Sequence, residues 1–390
     1  DWMLGYVYYG LGALAEKEGE QDKALKLFLQ SLALHREHAN AWGELGAHLR
    51  LGNLRSRQGE YPRAAKHLEY ALAAYEKMGS LYGTSWALGG LALLHHKLGE
   101  FGKAEEYYRR TLEVRRRIGD RKGAAWCLNS LGMIANMQGR YREALSFEHE
   151  AMAVYEEIGD RSGVGEARYS IGSVYFYLGD YSEALRHYDR AFALANETGN
   201  QALLGNVVSG MGSAYSAAGR LDLAEGLYRK CLELARASKE KTNVIWALNN
   251  LASLHIERGE TAAARGALEE ALATLPARGQ DYMRARTLYL LGKSGGSAAS
   301  SVDYFERALS LSEANGLEEL KWKCLTDLGE IYLAQGDTAK SYSTQHRAIV
   351  SVESLRRLAG TDELRRHFLQ PAILPYERIV SLALGPLAAQ

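Results

Sequence analysis

The chain has 390 residues, with 47 basic and 47 acidic side chains and a formal net charge of zero. That balance lacks the basic footprint duplex nucleic acid requires, and 47% hydrophobic residues exclude a disordered chain. No apolar stretch is long enough to cross a membrane, and Cys127, Cys231 and Cys324 are too few and too scattered for a disulfide framework or a zinc ribbon. A reducing, cytoplasmic setting is the expectation. The chain opens at Asp1 with neither an initiator Met nor a signal-like stretch, and reads as a fragment or a processed form.

Five prolines leave few helix breaks, whereas 40 glycines supply many stops. Long helices ended at regular places by glycine satisfy both counts. The glycines are periodic: Gly19, Gly59, Gly99, Gly139, Gly179, Gly219 and Gly259 fall at a constant forty-residue step. Eight residues before each stands an apolar residue (Leu11, Leu51, Leu91, Leu131, Ile171, Met211, Leu251), followed by Gly or Ala. Five residues after each stands an alanine, from Ala24 and Ala64 to Ala224 and Ala264. Each unit therefore reads as two helices around a glycine turn: 121–138, the turn Gly139-Arg140-Tyr141, then 142–158. Leu291-Gly292 keeps the step, while Leu328-Gly329 arrives three residues early. Self-similarity at this period marks a stacked-repeat architecture. A lone hairpin cannot bury enough apolar surface to offset the ordering of its chain, so neighbouring units must supply it.

The pattern resembles the tetratricopeptide repeat in a longer, forty-residue form. It is carried best by Asn250-Leu251-Ala252…Gly259-Glu260…Ala264 and by Ile171-Gly172…Tyr175…Gly179-Asp180-Tyr181…Ala184…Tyr188…Ala191. Similar long repeats occur in kinesin light chains, in regulators of the MalT type and in proteins with a caspase-like CHAT domain. The resemblance implies an all-α, right-handed superhelical α-solenoid of about nine helix-turn-helix repeats over residues 1–358, plus C-terminal helices. First helices would line its concave wall and second helices its convex wall.

Two stretches depart from the period. In the eighth unit, Lys293 to Ser301 is short and rich in Gly and Ser, and reads either as local drift of a redundant repeat or as a flexible kink that offers a hinge. After the ninth unit the register ends. Residues 348–390 suggest a long helix to about 358, another across 361–370 and a third starting near Pro375. The segment 359–390 resembles the helical connector that precedes a CHAT protease, which itself would lie beyond Gln390.

Catalytic motifs fail on context. Gly292-Lys293-Ser294-Gly295-Gly296 fits a G-x-S-x-G elbow, which needs a strand before it, but a helix precedes it here. Its Gly-Lys-Ser lacks the P-loop glycine at the position of Thr287. His35 and His38 have no further ligands nearby and read as a solvated face, and His95-His96 as one groove-facing and one packed ring. The cysteines occupy small core positions. The basic run from Arg109 to Lys122, with Glu105, Glu106 and Glu113 interspersed, reads as a solvated convex face. No catalytic, metal or cofactor site is implied, and the chain is not expected to be an enzyme.

The informative residues lie on one stripe of the first helices, at six and three before and one and four after the small mid-helix residue. In tetratricopeptide families that stripe faces bound peptides. Here it presents Trp86, Trp126, Asn129, Asn136, Tyr169, Phe176, Asn206, Trp246 and Asn249. Five of the eleven asparagines stand on it, far above their share. Asparagine is a poor mid-helix residue, but its amide both donates and accepts, which suits a partner's backbone. The tryptophans offer broad apolar shelves, the usual anchors of recognition surfaces; the plainer account is that they pack between adjacent first helices. The lysine and asparagine pairing that clamps a C-terminal carboxylate is lacking, since Leu49 stands where a lysine would serve. The expectation is an interaction and sensor module that captures a polypeptide in its concave groove and regulates a linked CHAT protease. The alternative is the C-terminal ligand-sensing domain of a signal-transduction ATPase or transcription regulator.

Overall fold

The computed structural model describes residues 2–237, 241–276, 280–358 and 374–388, which are helical apart from turns; no strand occurs among them. Eighteen helices form nine hairpins in chain order: α1 (Trp2–Lys17) with α2 (Gln21–Glu37), α3 (Ala41–Arg57) with α4 (Tyr61–Lys77), α5 (Leu81–Lys97) with α6 (Phe101–Arg117). They continue as α7 (Arg121–Met137), α8 (Tyr141–Glu157), α9 (Arg161–Tyr177), α10 (Tyr181–Thr198), α11 (Gln201–Ala217) and α12 (Leu221–Ala237). The last hairpins are α13 (Lys241–Glu257), α14 (Thr261–Thr274), α15 (Asp281–Lys293), α16 (Ala298–Ala314), α17 (Glu318–Ala334) and α18 (Thr338–Leu358), with α19 (Leu374–Ala388) after them. The helix expected across 361–370 lies outside the described residues.

Local chemistry sets each hairpin. At the end of α5 the chain turns left-handed at Gly99 (φ 74°), and the Glu100 N–H reaches back to the His95 carbonyl at 2.9 Å. That closure satisfies a carbonyl the helix leaves open. The next first helices begin on caps at the same forty-residue step. Asn40 accepts from the Gly43 N–H at 3.1 Å, Ser80 from Gly83 at 3.2 Å and Asp120 from Gly123 at 2.9 Å.

The small mid-helix residue of each first helix receives a large side chain from the second. A Cβ on Gly12 would lie 2.7 Å from the Phe28 ring, and one on Gly172 2.7 Å from Tyr188. The alanine five residues beyond the turn glycine is fully buried throughout, as at Ala24, Ala64, Ala104, Ala144, Ala184, Ala224 and Ala264. These are the close approaches the periodic small residues anticipate.

Contacts divide the chain into two units, residues 1–134 with 146–163, and 135–145 with 164–390. The first is cored by Phe28, Leu32, Leu51 and Leu54, and by Leu68, Leu72, Leu88, Leu91 and Leu94. The second contains a cluster around Tyr188, Leu204 and Val207 and a larger one around Leu288, Phe305, Trp322 and Leu325. In the eighth unit α15 stops early at Lys293. The turn that follows is tied: Ser297 caps α16 through the Ser300 N–H, Ser301 donates to the Gly292 carbonyl and Arg265 to the Gly295 carbonyl. At the far end α19 packs on α18, with the Arg378 guanidinium 2.6 Å from Glu330 on α17.

Candidate functional site

The first unit places Trp86 on α5 and Trp126 on α7, with Arg115 of α6 between them. The guanidinium carbon lies 5.5 Å from the Trp86 ring centre and 5.1 Å from that of Trp126. Arg115 is 7% exposed, so the sequence reading of the whole basic run as a solvated face is wrong at this residue. The other basic residues do fit that reading: Arg110 pairs with Glu76, Arg116 with Glu150 and Arg121 with Glu157. Arg115 is drawn inside because Gly123 opposite it has no side chain: a Cβ there would stand 2.3 Å from its Nη1.

His35 holds the equivalent place two periods earlier and is likewise buried, against Gly5 and Gly43, with Tyr6 edge-on at 4.6 Å. It is not on a solvated face. Burial lowers its pKa. His95 pairs with Glu100 and stacks on Tyr107, whereas His96 lies beside Phe101.

Trp86 is 49% exposed, with Leu93 and Met133 also exposed on the same stripe. Trp126 is half-buried and meets Tyr108 edge-on at 5.5 Å. Asn129 is only 9% exposed.

Nearby, Lys97 is exposed, yet burial first and then Arg57 lower its pKa. Burial and then Lys97 do the same to His96. Glu16 pairs with Arg57 and with Arg50.

The second unit carries the remaining stripe residues. Tyr169 is half-buried beside Tyr188, and burial raises its pKa. Phe176 packs against Tyr177 and Tyr181. Asn136 is half-buried, with an enclosed Oδ1 that accepts no hydrogen bond among the described residues. Asn206 is exposed.

Trp246 and Asn249 are engaged internally. Arg286 stands over the Trp246 ring, its guanidinium carbon 4.5 Å from the centre, and donates to the Asn250 Oδ1 at 2.8 Å. Asn249 is fully buried, contrary to a groove-facing amide, and its Oδ1 accepts from the Thr287 hydroxyl at 3.1 Å. Thus the packing account holds for Asn249 and in good part for Trp246.

Two further residues of the second unit are Arg286, which stands on the same stripe, and Tyr177, which the sequence reading passed over. Arg286 stands at the tryptophan position one period on. Tyr177 is half exposed, yet its pKa is raised, by burial first and then by Glu319, with Tyr169 and Tyr282 adding and Arg286 opposing. Position five after the mid-helix glycine, one step beyond the stripe, is where it was to be found.

The nucleophile-like Ser294 is 3% exposed and donates to the Leu291 carbonyl. Burial raises the Cys127 thiol to about 12 and also raises Cys231 and Cys324, which leaves them inert packing groups. Among the described residues no three His, Cys, Asp or Glu side chains gather as metal ligands.

Comparison with known proteins agrees with this architecture. The family described as Tetratricopeptide repeat matches residues 39–117, 83–157, 124–197, 163–237 and 202–277, together more than half of the chain. No curated protein matches. Among solved structures, a Rap protein complexed with competence and sporulation factor is similar with a TM-score of 0.67 at 13% identity, covering 91% of this chain and 99% of that one. The Rap conjugation gene regulator of plasmid pLS20, in complex with the Phr* peptide, gives 0.63 at 13% identity, covering 93% and 99%. The STAND protein PH0952 from Pyrococcus horikoshii, which has a tetratricopeptide repeat sensor, gives 0.55 at 15% identity, covering 88% of this chain and 55% of that one. At these identities the likeness is one of fold.

Proposed function

Because the chain belongs to the tetratricopeptide repeat family, we propose that it is a regulatory sensor that captures an extended polypeptide along the stripe of its first helices. The observation that carries this reading is the set of exposed apolar side chains Trp86, Leu93 and Met133 on one stripe of the first helices, with Asn129, 9% exposed, on the same stripe. An extended peptide presents alternating N–H and C=O groups, which one amide side chain can meet together. Asn206, exposed on the second unit, offers the same chemistry. The two Rap relatives, solved with a factor and a peptide, support a polypeptide ligand.

In the finer form of the proposal, capture takes place in the cytoplasm and controls a linked caspase-like protease, as the resemblance of the tail to a CHAT connector suggests. A ligand achieves this only by preferring one repeat-to-repeat geometry over another, and the irregular eighth unit is the place to transmit it. The likeness to PH0952 favours a second reading, in which the sensed ligand acts on a signal-transduction ATPase.

The test is a displayed random-peptide library panned on the chain, with the enriched peptides measured by fluorescence anisotropy against Trp86→Ala plus Asn129→Ala. Trp126 is a poor probe, since it packs on Arg115 and Tyr108. The double variant should weaken binding at least tenfold, about 1.4 kcal/mol, with its thermal melt little changed. Absence of any enriched peptide, or unaltered affinity in the variant, refutes the groove assignment.

A further inference from the structure

On α5, Trp86, Leu93 and Lys97 stand at steps of seven and four, which sets them in one row along the helix. Arg57 ends the equivalent row on α3, and α3 packs on α5. Burial and then the Arg57 charge lower the Lys97 pKa, so the two cations stand within each other's field. Glu16 of α1 pairs with Arg57 and, at 3.8 Å, with Arg50, and its side chain is only 14% exposed. One enclosed acid is thus shared by two arginines, and Lys97 adds a third positive charge. Helix ends favour cations, but Met137, Tyr177 and Ala217 hold the same place on α7, α9 and α11, so the repeat itself does not call for the charge.

Arg115 supplies a further cation at the Trp86 end of the row. Its guanidinium lies between Trp86 and Trp126, and its buried Nε makes no hydrogen bond among the described residues. Its pair with Asp120 is loose, at 3.8 Å, while Asp120 caps α7 through the Gly123 N–H. Gly89 on α5 puts no side chain over it: a Cβ there would meet the Trp126 ring at 3.7 Å and the Arg115 Nη2 at 3.8 Å. Tryptophan faces ordinarily draw cations. These two already hold a guanidinium, whose charge repels a second cation and attracts an anion.

We propose that the segment captured on the first unit is acidic: its Asp and Glu carboxylates lie against Lys97 and Arg57 and toward Arg115, while a neighbouring apolar side chain covers Trp86 and Leu93. This rests on polypeptide capture by the first helices and adds the charge class of the ligand. The chain as a whole carries no net charge, so the selection comes from this local excess of cations and not from general attraction.

Two displayed peptide libraries with the same apolar positions test it, one filling the rest from Asp, Glu, Ser and Gly, the other from Lys, Arg, Ser and Gly. Only the acidic library should yield binders. These are synthesised with amidated C-termini, so that side-chain carboxylates alone are read, and measured by fluorescence anisotropy. Lys97→Glu should weaken them roughly tenfold, as should raising salt from about 50 to about 500 mM. Lys66→Glu makes the same change of charge at an exposed place on α4 and should leave affinity within about twofold. Replacing the peptide's acids by Gln should abolish the effect of Lys97→Glu. Equal yield from the basic library, or an equal response to Lys97→Glu and Lys66→Glu, overturns the acidic assignment. If such binders are still lost in Trp86→Ala plus Asn129→Ala, capture itself stands; no binder from either library overturns both.

Discussion

The ring of Tyr75 lies across Gly83 so closely that a Cβ on the glycine would stand 2.2 Å from it. The same exchange of volume recurs at Tyr155 and Gly163, at Arg115 and Gly123 and at His35 and Gly43. In each case the second helix supplies bulk and the following first helix gives up its side chain. In the second unit the volume moves across: Ala195 and Ala235 are the small partners, and Leu203 is buried at the former glycine position.

Gly83→Ala should therefore destabilise, although alanine is ordinarily the better helix former. Overpacking at such a contact costs on the order of 1–3 kcal/mol. Gly102→Ala on α6, where nothing lies within 4 Å of the added Cβ, should be neutral or stabilising by about 0.5–1 kcal/mol. Urea midpoints of the two variants should move in opposite directions.

Ala39 occupies the turn position held by glycine at Gly79, Gly119, Gly159 and Gly199, and it is held left-handed at φ 51°. An L-residue pays about 1–2 kcal/mol there, against the added chain entropy of glycine. Ala39→Gly should gain roughly 0.5–1 kcal/mol. Slower amide exchange at Asn40, whose N–H bonds to the His35 carbonyl, is the local readout.

Thr287→Val keeps the shape of the α13–α15 contact but removes the donor to Asn249. The stranded amide should cost about 1–3 kcal/mol. Adding Asn249→Leu should recover part of that loss, because no buried polar group then remains unpaired. A double-mutant cycle in urea measures the coupling.

His48 is buried, and its Nδ1 faces the Nδ1 of His67 at 2.9 Å, with Arg36 at its other nitrogen at 3.0 Å. Burial, then His67 and Arg36, lower its pKa to about 4, while Glu44 opposes weakly. Burial first, then Arg55 and Arg36, lower His67 as well. Unfolded, these rings take up protons near the ordinary value of about 6.5, so the unfolded state binds protons first as the pH falls. Stability should be full above about 6.5 and decline toward pH 4. A His48→Gln, His67→Gln variant should show a shallower decline in urea midpoint across that interval, and an identical slope sinks the assignment.

The forty-residue period alone determined the helices, their turns and the small residues between them. Helix ends such as Gly99 and caps such as Ser80 bond to atoms at most five residues away, so local sequence suffices to specify them. Which stripe residues remain open was decided only in three dimensions. Asn129 and Asn249 hold the same register position, yet Asn249 is met by a hydroxyl 38 residues on, at Thr287, and the residue at that distance from Asn129 is Ala167. Arg115 likewise belongs to a basic run by composition and to the tryptophan stack by packing. Burial and pairing depend on side chains a whole repeat apart, and periodicity records that such neighbours exist without recording which of their polar groups meet.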